Sequence, residues 1–368
     1  MAVINVGNTV NGDIPLKIDF FKAQNRHGLI LGGSGSGKTY AIQNLCLQYE
    51  KAGIPVIIMD YSGSFSPNQV ENAIKIMEED GKLQRTVVYE KGLAINPGIR
   101  QMKDPERDLL EKEVDAVLRM KDLLAKALKL TAFQSNIVYG LIKKAYLEYH
   151  LEEFQDILEF IVSEIENAQQ NPDEGNRCYC NANGANILNK INPFVDQCIF
   201  KRCENVFWEQ LSKNAITIID FSYFDISIQQ ALIEAVLRDL WNYWTRFGNR
   251  KDLMILLDEF QVLEFGKGTI LEVLLTQGRK FGLNLWLSTQ SMAGNFDKRQ
   301  QNALCQVGTK FYFKPAQEDE RMLSNRYGSS VANGLKQLKR GECLMDGTFI
   351  GLDGTMRPLQ CFVKIPKI

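Results

Sequence analysis

Histidine is almost missing from this 368-residue chain; His27 and His150 are the only two and stand far apart. No spare carboxylate cluster with metal-ligand spacing accompanies them, so nothing in the chain reads as a nuclease centre. No apolar run approaches the roughly eighteen residues a membrane-spanning helix needs. The N-terminus has no signal-like apolar block, and a cytoplasmic protein is expected. Excess charge is missing too: 43 Lys and Arg face 44 Asp and Glu, for a net charge of −1. Any nucleic-acid contact must then be local, in a channel or loop, rather than on a broad basic face. The eight cysteines have no regular disulfide framework, which suits a reducing compartment. Cys178, Cys180, Cys198 and Cys203 follow C-x-C-x₁₇-C-x₄-C, without the paired C-x₂-C knuckles of structural zinc sites. They are expected to be plain thiols. About one zinc per purified chain, released by combining Cys178→Ser with Cys203→Ser, would contradict that expectation.

What is present is concentrated in one stretch. Gly32-Gly33-Ser34-Gly35-Ser36-Gly37-Lys38-Thr39 spells G-x-x-x-x-G-K-[ST], with Tyr40 directly behind it. The glycines let the backbone turn so that successive N–H groups face β- and γ-phosphates. Lys38 brings a compact charge to those oxygens, and the Thr39 hydroxyl is a ligand for Mg²⁺. Residues 28–31 read as a short buried strand entering the loop. Residues 40–50 place Ile42, Leu45 and Tyr49 on one helical face leaving it. A dinucleotide fingerprint fits poorly, because G-x-G-x-x-G counted from Gly35 needs glycine at Tyr40. ATP with Mg²⁺ is the expected ligand pair.

The rest of the chain alternates strands and helices. Residues 54–59 form an apolar run closing on Asp60, the pattern of a buried parallel strand, with a Tyr61–Pro67 loop beyond it. Residues 70–79 read as a helix and Thr86 to Tyr89 as a strand. From about residue 101 the pattern is helical: 105–130 with Leu109, Leu110, Val114, Val117 and Leu118, then 134–168, until 171–176 breaks it. Strands resume at 215–221, 253–257 and 283–290, with a strong helix over 227–246. The expected architecture is α/β: a RecA-like P-loop core, residues 1–100 and 205–368, with a mainly parallel sheet covered by helices. Residues 101–204 form a helical insertion.

Leu253-Met-Ile-Leu-Leu-Asp258-Glu259 completes an ATPase site. Asp258 would hold Mg²⁺ through its water shell, and Glu259 would orient and deprotonate the attacking water. Gln290 ends the following strand and is placed to sense the γ-phosphate and the water. Arg279, in Gln277-Gly-Arg-Lys-Phe-Gly282, reads either as a solvated helix-end charge or as an arginine acting on a phosphate from a neighbouring subunit. Glu264-Phe-Gly-Lys267-Gly-Thr269 has the glycines and basic residue of a DNA-contacting pore loop, and equally those of an ordinary surface turn.

The ordered set of Gly-Gly-Ser-Gly-Ser-Gly-Lys-Thr, the strand ending in Asp60, Ile-Ile-Asp220-Phe-Ser, Leu-Leu-Asp258-Glu259, Gly278-Arg279-Lys280-Phe-Gly and Ser288-Thr-Gln290 resembles the HerA/FtsK superfamily of DNA-pumping ring ATPases. The HerA branch is most similar. The resemblance continues through Asn302–Phe311 and Leu338-Lys-Arg-Gly341-Glu342 and spares only about residues 101–205. Two features depart from it. HerA proteins carry a small β-barrel ahead of the core, where this chain has little sequence, and Phe260-Gln261 stands where they usually have Ala and His. A minimal core or part of a longer protein is therefore expected, with Pro15 to Phe20 as the lead-in strand. The resemblance implies a homohexamer with double-stranded DNA in its pore, ATP sites between subunits, and a nuclease or another repair or defence subunit as partner. Two other readings remain open: a nucleotide-gated assembly module, and a secretion-type ATPase that moves protein.

Overall fold

Val56–Asp60, Ile216–Asp220 and Leu253–Leu257 are buried at every position. Continuous burial without alternation is what strands covered on both faces require. The computed structural model describes residues 2–104, 107–171, 179, 181–201, 207–211, 215–246, 252–351 and 353–367. In chain order its strands are β1 (Val3–Thr9), β2 (Pro15–Asp19), β3 (Gly28–Leu31), β4 (Val56–Asp60), β5 (Leu83–Val87), β6 (Met102–Asp104), β7 (Leu109–Leu110), β8 (Ile216–Asp220), β9 (Leu253–Leu257), β10 (Leu283–Thr289), β11 (Thr309–Tyr312), β12 (Glu342–Ile350) and β13 (Met356–Lys364). The main sheet runs β2-β1-β13-β12-β11-β3-β10-β9-β4-β8-β5. From β11 through β8 every pairing is parallel, whereas β12, β13, β1 and β2 extend the sheet in antiparallel fashion.

This is the expected mainly parallel α/β sheet flanked by helices. β3 sits between β10 and β11, with Leu29 paired to Leu287 and Lys310. The loop leaving β3 therefore opens at the carboxyl edge, flanked by the ends of β10 and β11. Crevices at that edge are where open α/β sheets bind ligands.

Contacts divide the chain into two compact units. One comprises Met1–Arg85, Leu211–Ser222 and Arg250–Ile368; the other comprises Thr86–Gln210 and Tyr223–Asn249. The helical unit thus begins before residue 101 and takes in the helix Ile226–Arg246, which the sequence pattern assigns to the core. Within that unit the Arg119–Glu111 ion pair is buried, with N···O 3.0 Å. Arg119 also donates to the carbonyls of Pro97 and Ile99, and this fuller set of partners offsets the cost of burying its charge.

Two local expectations change. The strand expected at Thr86–Tyr89 lies earlier, at Leu83–Val87, and Val88–Lys91 is a short helical turn. The helical run expected from residue 105 starts at Glu113, because Leu109 and Leu110 pair with Met102 and Asp104 as a small antiparallel ladder. Both leucines are exposed, so their helical spacing reflected no buried stripe. Cys178, Cys180 and Cys203 lie outside the described residues; Cys198 is an exposed free thiol.

His27 stands at the opposite edge of the sheet from the P-loop. Its Nδ1 accepts the Leu285 N–H at 2.9 Å, so the neutral ring carries its proton on Nε2. Burial, helped by the nearby Arg279 charge, lowers its pKa from 6.5 to about 4. A depressed folded value means that the unfolded chain takes up the proton first. The stability this group contributes is present above pH 6.5 and is lost as the pH falls towards 4, by up to about 3 kcal/mol. Urea unfolding at pH 7 and pH 4.5 is expected to show this loss, and His27→Gln should flatten it. An unchanged slope in that variant would remove His27 as the cause.

Candidate functional site

β3 delivers the chain into the loop Gly32–Thr39, and the helix α1 (Lys38–Lys51) receives it. Gly33 N–H donates to Lys314 O at 2.9 Å and Gly32 N–H to Thr289 O at 3.3 Å, so the neighbouring strands' ends anchor the loop. A Cβ on Gly32 would lie 2.6 Å from Phe313 Cβ, which leaves room only for glycine. Gly37 caps α1 in the left-handed region at φ 110°, which likewise favours glycine. The first turn of α1 contains no acidic residue, so its N-terminal N–H groups and dipole present undiluted positive potential.

Lys38 is 5% exposed and donates from Nζ to Gly33 O at 3.2 Å. Burial lowers its pKa, while Glu259 and Asp258 pull it back up. The Thr39 hydroxyl donates to Asp258 Oδ2 at 2.8 Å, joining two motifs separated by more than 200 residues. Asp258 Oδ1 is buried without a hydrogen-bond partner among the described residues. A hydroxyl and a carboxylate in contact, with one carboxylate oxygen still unsatisfied, form the hard-oxygen donor set that suits Mg²⁺. Burial raises the Asp258 pKa, a cost that a bound cation would relieve.

Glu259 has φ 57° and ψ 40°, left-handed backbone that a non-glycine residue seldom adopts. Such strain persists only where the surroundings over-determine it, and here it follows directly after a fully buried strand. The conformation brings the carboxylate to Gln290, whose Nε2 donates to both Oε1 and Oε2 at 2.7 Å. Gln261 Nε2 adds a contact to Oε2 at 3.2 Å. The carboxylate is thus oriented by two amides and remains partly open at the carboxyl edge. An oriented carboxylate of this kind can align a water molecule and take its proton.

Arg279 is not brought to this site. It lies in the turn Gly278–Phe281 before β10, donates to Gln24 O and is exposed. The seven residues of β10 separate that turn from Gln290, a span of about 20 Å. Lys267 is exposed on a closed turn: Gly266 N–H donates to Thr269 Oγ1, and Gly268 N–H to Glu272 Oε2. Phe265 anchors the turn against Phe260 and Phe296, with ring centroids 6.2 and 6.1 Å apart. Tyr40 is partly buried against the core behind the loop.

Three polar side chains near the site, named in the sequence only as strand ends or loop positions, were not among the expected site residues: Asp60, Tyr61 and Asp220. Asp60 and Asp220 end the adjacent parallel strands β4 and β8 in direct register. Burial raises Asp60 to about 6, opposed by the Phe65 N–H it accepts and reinforced by Asp220 and Asp258. Tyr61 is buried, and its pKa is raised by that burial and by Asp258, Glu259 and Asp60. The usable signal was positional: each residue ends, or directly follows, a strand whose carboxyl end meets the site.

A phosphate loop on a parallel sheet, with an acid pair one strand beyond its neighbour, defines a P-loop ATPase. Residues 4–240 match the family described as "Helicase HerA, central domain", and the chain belongs to that family. It is 20% identical over 371 residues to the DNA double-strand break repair helicase HerA of Saccharolobus solfataricus, spanning 96% of this chain and 68% of that protein. Its fold is similar to that of VirB4 of Thermoanaerobacter pseudethanolicus: TM-score 0.69, 17% identity, 99% of this chain and 96% of the other. It is also similar to the plasmid coupling protein TrwB in complex with ADP and Mg²⁺: TM-score 0.62, 16% identity, 98% and 89% coverage. Among the described residues no helix is long and apolar enough to cross a membrane.

Proposed function

We propose that this ATPase is a motor that moves double-stranded DNA as a homohexamer, alongside a nuclease or another repair or defence subunit. The observation that carries the reading is a division of the machinery. Lys38, Thr39, Asp258, Glu259 and Gln290 converge at one edge of the sheet, whereas Arg279 stands about 20 Å away at the other. We assign Arg279, rather than leaving it a solvated helix-end charge, to a nucleotide bound to a neighbouring subunit, which would make the ring part of the active site. Similarity to a protein named as a break-repair helicase supports DNA as the substrate.

In this reading the loop amides of Gly32–Thr39, with Tyr40 behind them, cradle the phosphates of ATP, and Lys38 neutralises their charge. Thr39 and Asp258 would hold Mg²⁺, which supplies charge stabilisation at the transferring phosphoryl group. Glu259 takes the proton of the attacking water, and Gln290 holds that carboxylate in line. Lys38→Ala is therefore expected to abolish ATP binding, as measured by equilibrium binding of a fluorescent ATP analogue. Unchanged affinity would contradict the assignment of the loop.

DNA contact is assigned to Lys267, six copies of which a ring concentrates around its axis. Such contacts read the phosphate backbone, so binding is sequence-independent and weakens steeply with salt. Lys267→Glu should remove DNA stimulation of hydrolysis; a variant stimulated like the wild type would exclude this turn. The reading as a whole is tested by the ATPase rate with and without duplex DNA, beside a mass measurement for ring formation. DNA-stimulated hydrolysis by hexamers supports it. A slow rate indifferent to DNA favours a nucleotide-gated module or a protein-moving ATPase.

A further inference from the structure

The P-loop has a second wall, built from the far end of the chain. Gly341 N–H donates to Ser36 O at 3.0 Å, and a Cβ on Gly37 would meet Gly341 N at 3.0 Å and its Cα at 3.2 Å. The turn that carries Gly341 is closed on itself: Lys339 N–H donates to Glu342 Oε2 and Glu342 N–H to Lys339 O, both at 3.0 Å. It is tied down again by the residues just beyond β13: Ile365 N–H donates to Gly341 O at 2.9 Å, and Asn44 Nδ2 on α1 donates to Pro366 O at 3.3 Å. At its tip, Arg340 is exposed, and among the described residues no carboxylate pairs with it. With consecutive Cα atoms 3.8 Å apart, the Arg340 Cα lies within about 9 Å of Gly37. A guanidinium spans that distance to an oxygen held by the loop amides.

We propose that Arg340 binds the α- and β-phosphates of the nucleotide in its own subunit. The inference rests on the P-loop being the nucleotide site and adds a residue that the motif does not contain. Topology selects which phosphates it meets. Asp258, Glu259 and Gln290 approach β3 from the β10 and β9 side, whereas the turn arrives from the β11 and β12 side. The hydrolysing water is therefore flanked on one side, and Arg340 meets the nucleotide on the other. Lys38 is a point charge on a buried stem; Arg340 adds a planar fork of donors suited to bidentate phosphate contact. A contact made equally before and during reaction strengthens binding without lowering the chemical barrier.

The test is titration of wild-type and variant protein with a fluorescent ADP analogue, together with steady-state ATP hydrolysis and melting without nucleotide. Arg340→Ala is expected to weaken ADP binding and raise KM for ATP by about tenfold or more, in line with loss of a charge-assisted pair. Its kcat should stay within about threefold of wild type, as for uniform binding. Arg340→Lys keeps the charge without the fork and should fall between the two. Nucleotide-free melting should be unchanged, which separates a lost contact from a damaged fold. Wild-type ADP affinity in Arg340→Ala, or a fall in kcat with KM unchanged, would overturn the proposal. Failure of the wild-type protein to bind ADP at all would instead remove the reading of the P-loop on which it rests.

Discussion

Mixing Arg279→Ala subunits with Lys38→Ala subunits is expected to restore ATP hydrolysis that neither variant shows alone. Arginines acting on a transferring γ-phosphate contribute about 10³–10⁵ in rate, because they stabilise charge that develops only in the transition state. Arg279 cannot do this for the nucleotide of its own chain. It lies before the first residue of β10, hydrogen-bonded to Gln24 O, and the site lies beyond that strand's last residue. In a ring, a Lys38-intact loop can face an Arg279-intact neighbour even when each chain carries one defect. The readout is the ATPase rate against mixing ratio, with mixed rings verified by mass. A flat baseline across demonstrably mixed rings would rule out action across the interface.

Glu259→Gln is expected to bind ATP normally and to hydrolyse it about 10²–10⁴ times more slowly, the range for loss of a positioned base. A glutamine keeps one acceptor oxygen for the two amides that orient Glu259 and can pair its own NH2 with an amide oxygen once one of them flips, so the shape is kept while basicity is lost. Single-turnover hydrolysis beside analogue binding separates the two effects. A variant that turns over at the wild-type rate would remove Glu259 from the chemistry. The left-handed backbone at this residue adds a second readout. Glu259→Gly relaxes the strain and deletes the carboxylate, so it should be inactive yet not strongly destabilised.

Much of the site was legible because its chemistry is local in sequence. A phosphate loop needs glycines, lysine and a hydroxyl at adjacent positions, and a buried strand that ends at a site announces itself by an apolar run closing on acids. β3, β9 and β10 lie where those patterns predict. Arg279 was legible as a residue, but its distance from its own chain's site was not, since spacing says nothing about which end of a sheet a turn occupies. The helical boundary near residue 105 misled because helical spacing of exposed leucines carries the same signature as a buried stripe.

By itself, the sequence determined the class of protein, where the glycine-rich loop and the Asp258-Glu259 pair stand in the chain, and the parallel centre of the sheet. Each follows from residues that must be neighbours for steric or electrostatic reasons. Tertiary structure alone decided which other distant segments meet: β1 beside β13, Asp60 in register with Asp220 and Gly341 on Ser36. Those contacts join segments up to more than 300 residues apart, through backbone hydrogen bonds. A backbone hydrogen bond is available to nearly every residue type, so its partner is chosen by the packing of the whole sheet and leaves no mark in the local pattern.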